Sequence, residues 1–115
     1  MDLGQAFREA WIAGVNKHFP GEPKASYVTP WEDTPEWERQ AAATVAGQIQ
    51  EFVKLTGNHA NKLSREQKSQ FVAACWTAQM FVHFADPKPG YVAPWSQLPD
   101  WQKETDADIF ESVAG

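Results

Sequence analysis

The feature that most constrains the fold of this chain is an aromatic, proline-containing phrase that occurs twice. Residues 27–37 read YVTPWEDTPEW, and residues 91–101, which begin 64 positions later, read YVAPWSQLPDW. The flanking matches pair Trp11, His18, Phe19, Pro23, Lys24 and Arg39 with Trp76, His83, Phe84, Pro87, Lys88 and Lys103. Such a pattern indicates an internal duplication, and neither half is long enough to close a hydrophobic core alone.

Hydrophobic periodicity predicts an all-α fold. The expected helices cover about residues 3–18, 34–56 and 65–84, and a fourth begins near residue 98. Together they predict a single domain, residues 1–115, in which two pseudo-symmetric helix-loop-helix repeats pack through long proline-rich loops. Repeat one spans about 7–56 and repeat two about 65–113.

Local signals refine these helices. Thr34 is a good N-cap for the second helix, with Pro35 at its first position, and Ser64 opens a capping-box spelling before the third. Gly47 is expected to permit close helix packing. The third helix is broadly apolar and is expected to be the most buried.

Composition excludes several classes of protein. The net charge of −5 argues against a general nucleic-acid binder, which needs a basic face. No apolar run approaches the ~18–20 residues of a membrane span. The N-terminal sequence lacks the basic and apolar regions of a secretory signal, so a cytoplasmic location is expected.

The repeated aromatic residues are candidates for ligand contact. Trp31 and Trp95 lie in the loops, where their flat faces could stack on a planar ligand such as a base. The alternative is structural, with Trp37 and Trp101 fastening each loop to the helix that follows. The sequence leaves both interpretations open.

The repeated cations have two interpretations. Lys24 and Lys88 lie in the loops, whereas Arg39 and Lys103 lie early in the following helices, where a cation opposes the helix dipole. A bound phosphate at each helix start would explain that position. Pairing with nearby acidic side chains is the alternative.

Catalytic and metal-binding patterns are not visible, so the chain is expected to be non-enzymatic and to need no cofactor or metal. His18 and His83 stand at helix ends, where they complement the dipole. Cys75 is expected to be a buried, inert thiol. The carboxylates of the fourth helix are expected to form a solvated face: Asp106, Asp108 and Glu111.

The run PWSQLPDWQKETDADIF resembles the ryanodine-receptor-type repeat domain, or RyR domain. The residues that carry the resemblance are Pro94, Trp95, Leu98, Pro99, Lys103 and Asp106. The first copy, PWEDTPEWERQAAATVAG, is similar to the opening of small stand-alone members from actinobacteria and their phages. The resemblance implies a mainly helical pair of repeats with a cleft that binds adenine nucleotides or aromatic compounds.

These observations predict a non-enzymatic module that binds a small planar, phosphorylated ligand of nucleotide type. One specific version is a phage sponge that sequesters a host immune signalling nucleotide. The alternative is a protein-interaction or structural module, including a homo-oligomer. The predicted ligand-binding residues are Tyr27, Trp31, Trp37, Arg39, Tyr91, Trp95, Trp101 and Lys103.

Overall fold

The structure, a computed structural model, describes residues 2–115 and contains four α-helices and no strands in that range. The helices are α1 (Leu3–His18), α2 (Glu36–Leu55), α3 (Arg65–His83) and α4 (Asp100–Ala114). The radius of gyration is 13.4 Å, the size of a compact chain of this length. The all-α prediction is therefore confirmed. Within these residues, no helix combines the length and the apolar character that crossing a membrane requires.

Helix α1 begins at Asp2, whose carboxylate accepts a hydrogen bond from the backbone N–H of Gln5 at 3.1 Å. This bond satisfies one of the free N–H groups of the first turn. Leu3, Phe7, Trp11 and Val15 recur at steps of four and form an apolar stripe along α1. Its middle and end are the more buried part, since Phe7 is 5% exposed and Val15 is fully buried. Leu3, at the start of the stripe, is 41% exposed.

The prediction that Thr34 caps α2 is wrong. Pro35 has an extended ψ of 148° and occupies the cap position, so the helix begins one residue later, at Glu36. The Thr34 hydroxyl instead donates to the Pro30 carbonyl at 2.8 Å and closes the loop before the helix. At the other end, Gly57 and Asn58 follow the helix and both have positive φ, the usual C-terminal stop signal of a helix.

The close approach expected at Gly47 lies elsewhere. No atom comes within 4 Å of a Cβ built on Gly47, so this glycine does not mediate helix packing. In α1, a Cβ on Gly14 would lie 2.6 Å from the side chain of Thr105 in α4. Gly14 therefore sets the separation of α1 and α4.

The capping box of α3 is confirmed, since Ser64 and Gln67 exchange hydrogen bonds between side chain and backbone. The expectation that α3 is the most buried helix is wrong. Phe81 is 60% exposed and Val82 is 69% exposed at its C-terminal end. The fully buried aliphatic and aromatic side chains come mainly from α2 and α4 and include Val45, Ile49, Ile109 and Phe110.

The two connections that contain the repeated phrase follow closely similar backbone paths. Each contains two short 3₁₀ turns, at Ala25–Tyr27 and Trp31–Asp33 in the first and at Pro89–Tyr91 and Trp95–Gln97 in the second. The matched dihedrals (φ, ψ) are −58°, 143° at Lys24 and −58°, 141° at Lys88, then −119°, 18° at Val28 and −123°, 20° at Val92. The repeated sequence thus adopts the same local conformation in both loops.

Candidate functional site

A central cavity of about 390 Å³ lies between α1, α3, the two loops and the first turns of α2 and α4. Its volume falls in the range of small-molecule sites. Eight aromatic residues from both halves of the chain contribute to its wall: Phe7, Trp11, Tyr27, Trp31, Trp37, Trp76, Tyr91 and Trp101.

Five of the eight predicted site residues line the central cavity: Tyr27, Trp31, Trp37, Tyr91 and Trp101. The other three, Arg39, Trp95 and Lys103, do not line it. Tyr91 is 40% exposed and stands at the rim. The cavity also includes Trp11 and Trp76, a matched pair in the helices that sequence reasoning did not assign to a site. Their duplication at equal spacing was the signal that could have identified them.

The Trp residues at the starts of α2 and α4 make reciprocal contacts between the two halves. Trp37 packs against Phe84 with ring centroids 4.9 Å apart, and Trp101 packs against Phe19, also at 4.9 Å. Both contacts are edge-to-face, the geometry that aromatic pairs prefer. Each Trp therefore joins its helix to the opposite half, rather than fastening its own loop as the structural alternative supposed.

The two loop Trp residues do not face one common space. The Nε1–H group of Trp95 donates to the hydroxyl of Ser69 at 2.7 Å, away from the central cavity. Trp31 lines the cavity and also packs on α1, where its ring atom Cη2 lies 2.8 Å from the position of a Cβ on Gly4. A shared pair of stacking faces at these two residues is therefore not formed.

Each repeated cation lies over a repeated aromatic ring. Lys24 and Lys88 lie 5.8 and 5.7 Å from the ring centroids of Tyr27 and Tyr91. In the helices, Arg39 lies 6.0 Å from the Trp31 ring and Lys103 4.5 Å from the Trp95 ring. Cation–π attraction of this kind is worth ~0.5–1 kcal/mol at exposed sites. It gives the duplicated cations a partner that neither sequence interpretation considered.

A buried ion pair closes one side of the cavity. Arg8, which is 4% exposed, donates to Glu38 at 2.9 Å and to the carbonyl oxygens of Thr29 and Ser26 at 3.0 and 3.1 Å. Burial raises the pKa of the Glu38 carboxyl, and the charge of Arg8 acts against that rise. Arg8 thus ties the first loop to α1 and α2. Sequence reasoning missed it because its partners, one carboxylate and two backbone carbonyls, lie 18 to 30 positions further along the chain.

Asp106 is a second buried polar group in the cavity wall, and it corrects the prediction of a solvated face. It is 6% exposed, and burial raises the pKa of its carboxyl to about 8. The signal was available, because residue 106 lies three and four positions before Ile109 and Phe110, on the apolar face of α4.

The other acidic residues of α4 belong to an ion-pair cluster outside the cavity. Arg65 bridges Asp108 at 2.9 Å and Glu111 at 2.6 Å, and His18 bridges Asp108 at 2.8 Å. Burial raises the pKa of Asp108, but the bonds from His18 and Arg65 outweigh this effect and hold the pKa below its ordinary value. This cluster joins α1 and α3 to α4. Glu111 is exposed, as the predicted solvated face requires, whereas Asp108 is half-buried.

Other reactive groups do not form a site. Cys75 is half-buried, and burial raises the pKa of its thiol, which disfavours the nucleophilic thiolate. Among residues 2–115, no group of three or more His, Cys, Asp or Glu side chains is arranged to hold a metal ion.

The lining of the central cavity is built from matched positions of the two halves. The offset is 65 residues in α1 and α3 and 64 residues from the loops onward. The matched pairs include Phe7 with Val72, Arg8 with Ala73, Trp11 with Trp76, Tyr27 with Tyr91, Trp37 with Trp101, Glu38 with Gln102, and Ala42 with Asp106. The Trp and Tyr residues of these pairs are kept, whereas Phe7 is matched by Val72 and the polar positions differ between the halves.

Comparisons with protein-family models, with curated proteins and with solved structures each found no match to this chain.

Proposed function

We propose that this chain is a non-enzymatic module that binds a small planar ligand of nucleotide type in the central cavity. The observation that carries this proposal is the wall of the cavity, where aromatic rings from both halves surround about 390 Å³. Stacking of a base on an aromatic ring is worth ~1–3 kcal/mol. Eight rings around a space of this size provide several faces for such contact.

Recognition in this proposal centres on the ring of the ligand. The charged groups in the cavity lining are Arg8, which is already paired with Glu38, and Asp106. A phosphate would therefore meet little positive potential inside and would remain at the mouth. Arg39 and Lys103 stay predicted phosphate partners, although neither lines the cavity; Arg39 lies over the Trp31 ring and Lys103 over the Trp95 ring.

We also propose that the domain consists of two pseudo-symmetric repeats, about 7–56 and 65–113, related to the RyR-type repeat. Support comes from the reciprocal contacts of Trp37 with Phe84 and Trp101 with Phe19, and from the matched loop dihedrals. In this proposal, the cleft between the repeats is the central cavity. A phage sponge for a host immune signalling nucleotide is the specific version of the function that we propose to test.

The test uses Tyr91→Ala, because Tyr91 stands at the rim and its removal disturbs little packing. The matched control is Phe81→Ala, which removes an exposed ring of α3 that does not line the cavity. Titration with AMP, GMP and cyclic dinucleotides should quench Trp fluorescence in the wild type and in Phe81→Ala. Tyr91→Ala should bind about tenfold or more weakly. No quenching and no thermal shift with any of these compounds would reject the proposal.

A second candidate function is self-association through the end of α3. Phe81 and Val82 are neighbours and are both more than half exposed, an arrangement that favours contact with a second copy of the chain. Light scattering across protein concentrations tests it, with a Phe81→Ser and Val82→Ser double variant as control. A monomer at every concentration would exclude this function.

A further inference from the structure

The two halves of the central cavity differ in one respect that suggests what the ligand carries. In the first half, the guanidinium of Arg8 donates to the Ser26 and Thr29 carbonyls and to the Glu38 carboxylate. The guanidinium is thereby surrounded by three hydrogen-bond acceptors. This guanidinium is part of the protein, so that half of the site is already filled.

In the second half, the matched position of Arg8 is Ala73. An alanine has no atoms beyond Cβ, so nothing from this position replaces the guanidinium. The matched acceptor positions all line the cavity, with Gly90 and Ala93 in place of Ser26 and Thr29, and Gln102 in place of Glu38. The second half therefore keeps the acceptor positions and lacks the donor.

Asp106 adds a carboxyl to the same wall, where the first half has Ala42. It is 6% exposed, and no side chain among residues 2–115 forms a hydrogen bond or an ion pair with it. Every fully buried side-chain N or O atom in that range has a hydrogen-bond partner, so the unpartnered Asp106 oxygens are not fully buried. Asp106 itself lines the central cavity. A buried carboxyl without a partner is unfavourable and calls for a donor.

We propose that the second half of the central cavity binds a guanidine group of the ligand, in the place that Arg8 fills in the first half. Asp106 and Gln102 would accept from its N–H donors, and the Gly90 and Ala93 carbonyls would accept from the others. A planar guanidine matches a carboxylate through two parallel hydrogen bonds and also stacks on aromatic faces. This inference rests on the proposed function and narrows its ligand class.

The same chemistry has two sources. One is a guanidinium cation, as in agmatine, and the other is the edge of guanine, which presents a ring N–H and an exocyclic amine. Comparing the affinities of guanosine and inosine, which lacks that amine, tests the guanine edge. Comparing the affinities of agmatine and putrescine, which has an amine in place of the guanidinium, tests the guanidinium cation.

The decisive variant is Ala73→Arg, which supplies the second half with its own guanidinium. The matched control is Ala74→Arg, on the exposed neighbouring position. We expect Ala73→Arg to melt about 5 °C above the control, because Asp106 gains a partner. We also expect it to bind the guanidine probe at least tenfold more weakly than the wild type, whereas the control binds normally.

Asp106→Leu is the second variant, and it keeps the test decisive if Ala73→Arg does not fold. It should remain folded in its apolar surroundings and lose at least tenfold in affinity for the guanidine probe. The inference holds if the wild type alone binds guanosine at least tenfold more tightly than inosine, or agmatine at least tenfold more tightly than putrescine. The pair that differs then identifies the source. Equal binding within both pairs, or unchanged binding in the variants, overturns the inference but leaves the proposed function. Absence of binding by all four probes and by the nucleotides above overturns both.

Discussion

At the scale of single residues, the chain places three ionisable side chains where burial disfavours charge. Arg8 and Glu38 neutralise each other and hold the first loop, whereas Asp106 has no partner among the described residues. The first arrangement is structural, because every strong contact of Arg8 is internal to the protein. The second is the kind of perturbed, cavity-facing group that marks functional sites.

Asp106 makes stability depend on pH. Its pKa is about 8 in the folded chain against an ordinary value of 3.8, so the folded state binds the extra proton between these values. Stability should therefore fall as the pH rises from about 4 to about 8 and then level off. Glu38, the other cavity carboxyl with a raised pKa, acts in the same direction in the wild type and in an Asp106 variant, so a comparison of the two proteins isolates Asp106.

Asp106→Asn cannot ionise, so its free energy of unfolding should exceed that of the wild type by about 3–5 kcal/mol at pH 9. Near pH 4 the two proteins should be nearly equal. Urea unfolding at both pH values measures the difference. A difference in unfolding free energy between the two proteins that does not change with pH would contradict the raised pKa of Asp106.

Arg8→Met should lower the free energy of unfolding by about 1–3 kcal/mol, because it leaves the half-buried Glu38 carboxyl without its partner. Adding Glu38→Gln to Arg8→Met should recover part of the loss. Chemical denaturation of the two single variants and the double variant forms a double-mutant cycle. Strictly additive effects would show that the pair is not coupled.

At the scale of elements, close contact between helices depends on particular small residues. Gly14 lies against Thr105, so α1 and α4 cannot separate or rotate there without loss of packing. Gly47 has no such neighbour although it also lies within a helix. The two glycines therefore form a natural comparison.

Gly14→Ala should destabilise the fold by about 1–3 kcal/mol, since its Cβ would overlap the Thr105 side chain. Gly47→Ala should be neutral or stabilise by up to ~1 kcal/mol, because alanine favours the helix and has free space. Thermal unfolding of both variants checks the prediction. Equal effects at the two positions would show that the α1–α4 contact is looser than described.

At the scale of the whole molecule, much of the secondary structure is predictable from sequence because caps and hydrophobic period act locally. The capping box at Ser64 and the stop at Gly57 are of this kind. Contacts across the fold are not local. Trp101 against Phe19, and Trp95 on Ser69 rather than in the cavity, follow from how the helices pack and not from the spacing of the phrase.

The candidate site was partly predictable from sequence, because the repeated residues are visible in it. The duplication identified Tyr27, Trp37 and Trp101 as members of one lining. It could not identify Arg8 or Asp106, since their matched positions hold Ala73 and Ala42 and a search for repeated residues passes over them. Where the two halves differ is therefore as informative as where they agree.

The central claim, that the aromatic cavity is a ligand site, is tested most directly by the indole N–H signals of the six Trp residues in a ¹⁵N-labelled sample. Five of them line the cavity, and Trp95, which is hydrogen-bonded to Ser69, provides an internal control. Titration with guanosine or agmatine should shift signals of the five and leave that of Trp95 unchanged. Titration of the same sample with AMP, GMP and cyclic dinucleotides tests the wider ligand class in the same way. Unchanged spectra throughout, or a shift confined to Trp95, would contradict the claim.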